Sequence, residues 1–136
     1  MIRTVPKQKT GVTAFVERQK LTIGKFDQQE IEEIVKLSEE TRGKISITDF
    51  SICFYAKKNG YTLLTGDKNL RKVAIDKNIN VHGILYLFDE LISHKILPLK
   101  LAIEIITKLK VNNTRLPLEE IDARIKKWEF DLRNDL

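Results

Sequence analysis

Gly60-Tyr61-Thr62-Leu63-Leu64-Thr65-Gly66-Asp67 is the stretch on which the fold turns. Tyr61 to Thr65 are apolar or β-favouring and lie between two glycines, which reads as a short buried strand. Asp67 stands directly beyond its carboxyl end. Ile79 to Ile84 reads as a second strand and Leu21-Thr22-Ile23 as a further candidate.

Helical patterns alternate with these strands. Asp27 is an expected N-cap, with Glu30 closing a capping box. Ile31, Ile34, Val35 and Leu37 face inward along that helix, and Gly43 ends it. Ser46 starts the next helix, with Ile47, Phe50, Cys53 and Phe54 as its apolar stripe and Gly60 as its stop. Asp67 to Lys77 carries Leu70, Val73 and Ala74. Leu85 to Ser93 and Pro98 to Lys110 follow, Pro98 suiting a first turn. A last helix from Pro117 to about Arg133 places Ile121, Ile125, Trp128 and Leu132 at helical spacing. Its stripe reads equally as core or as a docking face. Short apolar strands between helices predict an α/β fold, a mainly parallel sheet covered on both faces, with a helical C-terminal part over 98–136.

The 136 residues match one domain, with 42% hydrophobic and 32% charged side chains, the mix of a soluble globular chain. The lone cysteine, Cys53, lies in an apolar helical run and reads as a small buried hydrophobe, so reduced, cytoplasmic surroundings fit best. No stretch approaches the roughly 18 apolar residues of a membrane span, and the N-terminus has no signal-peptide core. The net charge of +5 tilts the chain mildly towards polyanions. His82 and His94 lack partners at zinc-ligand spacing, and no glycine-rich phosphate loop is present. Asp89-Glu90 reads as a solvated helix face.

In a parallel sheet, function gathers at the carboxyl ends of the strands. Asp67 lies there, and Asp49 sits in the first turn of the preceding helix, where the two carboxylates can converge. Hard oxygens of this kind suit Mg²⁺ or Mn²⁺. Capping accounts for both residues too. Ser46-x-x-Asp49 is a capping box, and Asp67 is the natural N-cap of the helix it precedes. On spacing alone both readings stand.

The order of these segments adds to that choice. First comes a first-turn Asp49, then Tyr55-Ala56-Lys57-Lys58, then a strand ending Leu63-Leu64-Thr65-Gly66-Asp67. Leu70-Arg71-Lys72-Val73-Ala74 and Val81-His82-Gly83-Ile84-Leu85 follow, with Phe88-Asp89-Glu90-Leu91 and Arg115-Leu116-Pro117 later. Together they resemble the PIN domain, a family that includes many toxin–antitoxin ribonucleases, over roughly Leu21 to Trp128. The resemblance implies a three-layer sandwich and Mg²⁺- or Mn²⁺-dependent cleavage of RNA, with Asp49 and Asp67 as metal ligands. It implies that the Thr65 hydroxyl supports the acidic cluster, while a strand-end threonine bonding to backbone is the other reading of that residue, and Ser51, one turn from Asp49, is placed for similar supporting work. Lys68 and Arg71 are then placed to hold RNA phosphates, while Lys57 and Lys58 at a helix C-terminus are explained by the dipole. An antitoxin protein or a second copy of the chain are the partners it brings to mind.

The sequence departs from the family at its start. PIN domains open with a strand ending in Asp, then an acid, usually Glu, on a helix. Here no acid precedes Glu17, and Thr4 falls where the Glu is expected if Ile2 to Val5 align with that helix. Two of the four family ligands are therefore expected to be missing and activity impaired. A second copy or a partner is expected to cover the open sheet edge. A non-catalytic remnant that binds RNA or protein through the same fold is the alternative, and a purely structural domain the other.

Overall fold

Two interlocking bonds start the helix that follows Asp27. The Asp27 carboxylate accepts from the Glu30 amide at 2.8 Å, and the Glu30 side chain accepts from the Asp27 amide at 2.9 Å. This is the expected capping box, and it fixes the start of α1, Gln28–Ser38. A computed structural model of the chain describes residues 13–113 and 115–135. The expectation made at Thr4 lies outside the described residues.

After α1 a single 3-10 turn, Glu39–Thr41, runs into Gly43, whose φ of +79° is a left-handed conformation that costs glycine nothing. Ser46 then caps α2, Ile47–Asn59. Gly60 closes it at φ +66°, with its amide and that of Tyr61 returning to the Ala56 and Lys57 carbonyls. β1, Leu63–Leu64, follows, then α3, Lys68–Asp76, and β2, Val81–His82. The C-terminal part is helical as expected: α4, Ile84–Ser93; α5, Leu99–Asn112; and α6, Leu118–Asn134.

The architecture is α/β, mostly helical, around a short parallel sheet. β1 and β2 pair with Leu63 opposite Val81 and Leu64 opposite His82. α3 makes the crossover between them, the arrangement parallel strands require. One core cluster lies against this sheet: Cys53, Ala56, Leu63, Leu70, Val73, Ala74 and Ile79. A second joins the last three helices through Phe88, Ala102, Ile106, Ile121 and Trp128. Trp128, left open between core and docking face, is core: it is 3% exposed and lies 5.8 Å, centroid to centroid, from Phe88.

The structure corrects several expectations. Leu21-Thr22-Ile23 is not a strand: it runs as bend and coil, with Leu21 and Ile23 exposed and no ladder partner among the described residues. A β segment exists only when a neighbour takes its backbone groups, and periodicity cannot supply one. The sheet is not covered on both faces among the described residues, because Leu63 is buried while Leu64 is 46% exposed. On α1 only Ile34 is fully buried, whereas Ile31 and Val35 face out. On α2 Ile47 is also exposed, and the buried stripe is Phe50, Cys53 and Ala56. Asp89 is not simply solvated. It forms an ion pair with the Arg124 guanidinium at 2.9 Å, tying α4 to α6.

The candidate metal and phosphate site

Ser46 brings Asp49 into position. Its hydroxyl oxygen accepts from the Asp49 amide at 3.0 Å while its O–H lies 2.9 Å from Asp49 Oδ2. The second half of a capping box, a carboxylate accepting from the Ser46 amide, is not what forms. Asp49 therefore turns to the Ser46 hydroxyl and keeps its other oxygen outside the helix's own backbone bonding. The residue is half-buried, one turn from the thiol of Cys53.

Asp67 is an N-cap, as one of its two readings held. Its Oδ1 accepts from the Leu70 amide at 2.8 Å. A cap of this kind uses one carboxylate oxygen, so capping and metal binding are compatible at the same side chain. Thr65 sets the approach: its hydroxyl accepts from the Asp67 amide at 3.1 Å. The strand-end threonine thus orients Asp67 through backbone, and both readings of Thr65 describe the same bond. Ser51 turns away, donating to the Thr48 carbonyl at 2.6 Å.

Asp49 and Asp67 line one open cleft of about 290 Å³, together with Gly43, Lys44, Ile45, Ser46 and Asn69. The start of α2 and the start of α3 meet there, at the carboxyl edge of the strands. Two helix N-termini also place unpaired amides and partial positive charge at the cleft wall, which favours anionic groups. Lys44 is a basic lining residue that sequence reading missed. Nothing in its local pattern marks it, because only the fold-back from the Gly43 turn carries it to Asp67.

Lys68 and Arg71 do not line this cleft. Both are exposed on α3 beside it. Arg71 reaches across the sheet edge, its Nη1 3.4 Å from where a Cβ on Gly83 would stand, with the Thr65 carbonyl 3.8 Å from the same point. Lys58 is committed elsewhere, to Glu30 at 2.6 Å. Lys57 donates to the Lys77 carbonyl. Burial pushes the Cys53 thiol up, Lys77 opposes that and the Asp49 charge adds to it. Cys53 itself is a core residue beside the site, 1% exposed.

The donor set is two hard carboxylates on a wet, open cleft. Among the described residues no three acidic, histidine or cysteine side chains gather as a closed metal cage. Mg²⁺ does not need one, since it keeps several waters and is often held by one or two carboxylates plus substrate phosphate. The residues fit an ion of that class. Among the described residues no helix is long and apolar enough to cross a membrane.

Comparison with known proteins adds one match. A family model described as a PIN domain covers residues 5–129 of the chain. No curated protein and no solved structure gives a significant match.

Proposed function

The chain belongs to the PIN-domain family, a nuclease-type domain that generally uses divalent metal ions, and on that premise we propose that it is a Mg²⁺- or Mn²⁺-dependent ribonuclease domain. The observation that supports this reading is the cleft shared by Asp49 and Asp67. Each carboxylate has one oxygen held by a neighbouring hydroxyl or amide, which fixes the side chain, and one left for a ligand. Pre-set carboxylates bind a cation with little further ordering cost.

A divalent ion held here would polarise the phosphodiester and lower the pKa of a bound water. The chain's own residues do the positioning. Ser46 and Thr65 hold the two aspartates, and Lys44 offers a cation at the cleft wall. Lys68 and Arg71 take flanking phosphates as exposed, salt-sensitive contacts. Two carboxylates hold a hydrated ion loosely, so turnover is expected to be slow. A role as the toxin of a toxin–antitoxin pair, with a protein antitoxin as partner, extends the same reading.

Calorimetric titration with Mn²⁺ tests the site. The wild type should bind, and Asp49→Asn and Asp67→Asn should each bind much more weakly. Unchanged affinity in both variants would return the aspartates to capping alone.

A second reading rests on a specific observation: both carboxylates already serve helix starts, and no third ligand joins them among the described residues. In that case the domain binds RNA without cutting it. RNA binding that is indifferent to Mn²⁺ and to both aspartates would favour this alternative.

A further inference from the structure

At the carboxyl end of β2, His82 and Tyr86 form a parallel aromatic stack. Their ring centroids are 3.9 Å apart and the planes differ by 9°. His82 is half-buried and Tyr86 is 37% exposed. Among the described residues neither the imidazole nitrogens nor the phenol hydroxyl has a hydrogen-bond partner, so the pair is not tied into the fold by its polar atoms. A partly exposed stack offers a π-surface to an unpaired nucleobase, since every base has a π-face.

Its place in the fold gives this pair a meaning. The His82 carbonyl accepts from the Thr65 amide at 2.9 Å, and the Thr65 hydroxyl accepts from the Asp67 amide. The stack is therefore one strand away from the proposed metal ligand, on the same sheet edge. The Arg71 guanidinium reaches Gly83, the residue that follows His82. Aromatic rings near a guanidinium form a common platform for single-stranded nucleic acid, where bases stack and the cation follows the backbone. Duplex RNA does not fit this arrangement, because its bases are already stacked on one another.

We propose that the His82–Tyr86 stack is a base-binding platform, with Arg71 on the adjoining phosphate. This rests on the nuclease reading for its biological role but not for its test. Binding is measured by fluorescence anisotropy with short, unstructured oligoribonucleotides in Ca²⁺ buffer, apart from Mn²⁺-dependent cleavage. Tyr86→Ala is expected to weaken binding by about 5- to 100-fold, the loss typical of one stacked base. Tyr86→Phe keeps the ring and is expected to stay within about twofold of wild type, on the same reasoning. Neither should change the salt dependence, whereas Arg71→Ala should reduce the log–log slope by roughly 0.7.

The RNA side supplies a control that does not depend on how the variants fold. In a series with one abasic position moved along the strand, one position should weaken wild-type binding as much as Tyr86→Ala does. That position should cost the variant nothing further. Additive losses at every position, or wild-type affinity in Tyr86→Ala, would overturn the platform. If Tyr86→Ala fails to fold by circular dichroism, a wild type insensitive to every abasic position still overturns it. Asp67-dependent cleavage that persists in Tyr86→Ala with unchanged affinity would sink the platform alone. Tyr86-dependent binding without any Mn²⁺ cleavage would sustain the platform and sink the nuclease reading.

Discussion

Asp67 holds two roles in one side chain, and substitution can separate them. One oxygen caps α3 through the Leu70 amide, and the residue lines the cleft together with Asp49. Asn caps helices about as well as Asp, whereas Ala lacks the acceptor and typically loses about 1 kcal/mol. Asp67→Asn should therefore keep the wild-type urea midpoint while losing Mn²⁺ affinity, and Asp67→Ala should lose both. A stability loss in Asp67→Asn as large as in Asp67→Ala would show that charge, not capping, holds the start of α3. This residue was readable in the sequence, because a strand's carboxyl end followed by an aspartate is a local pattern. Asp49 was readable for the same reason, through its spacing from Ser46. Lys44 was not, since a lysine after a glycine turn carries no signal until the chain folds back on α3. Tyr86 was hidden differently: its four-residue spacing from His82 spans a strand end and a helix start, so neither period brings the rings together on paper.

At the level of elements, the helices were legible and the sheet only half so. Caps and stops are local: Asp27 with Glu30, Ser46, Gly60 and Pro98 each act within a few residues, and the helices begin and end near them. Leu21 to Ile23 has strand-like residues but no partner among the described residues, and Leu64 keeps an exposed face. Pairing and covering are long-range events that composition does not contain. One link between elements is electrostatic. The Lys58 ammonium donates to Glu30 across α1 and α2, and that bond, helped by the Asp27 amide, holds the Glu30 carboxyl below its ordinary 4.5. A depressed carboxyl stabilises the fold above its unfolded value and loses that contribution as pH falls through the folded value. Lys58→Met should therefore melt below wild type at neutral pH, and the gap should narrow as pH falls below the ordinary carboxyl range. A gap that persists in acid would mean that Lys58 acts through its ammonium over the Phe54 ring, 5.9 Å from the centroid, and not through Glu30.

The whole molecule has two apolar clusters with different work. The sheet-side cluster positions the cleft, and the helical cluster around Trp128 lies away from it. Truncating a buried Trp to Ala typically removes 3–5 kcal/mol, a large part of an ordinary domain's stability. Trp128→Ala should lower the denaturant midpoint accordingly, while Mn²⁺ affinity at temperatures where the variant stays folded is unchanged. Lost metal binding in the folded variant would show that the helical cluster also shapes the cleft. The central claim, that Asp49 and Asp67 form a metal site that cuts RNA, is tested most directly by cleavage itself. A labelled single-stranded RNA is incubated with Mn²⁺ and the wild-type chain, Asp49→Asn or Asp67→Asn, with and without excess EDTA. Slow cleavage by the wild type, ended by EDTA and by either substitution, is the expected result. Cleavage that survives Asp67→Asn, or a wild type that binds Mn²⁺ and RNA yet leaves the strand intact, would contradict it.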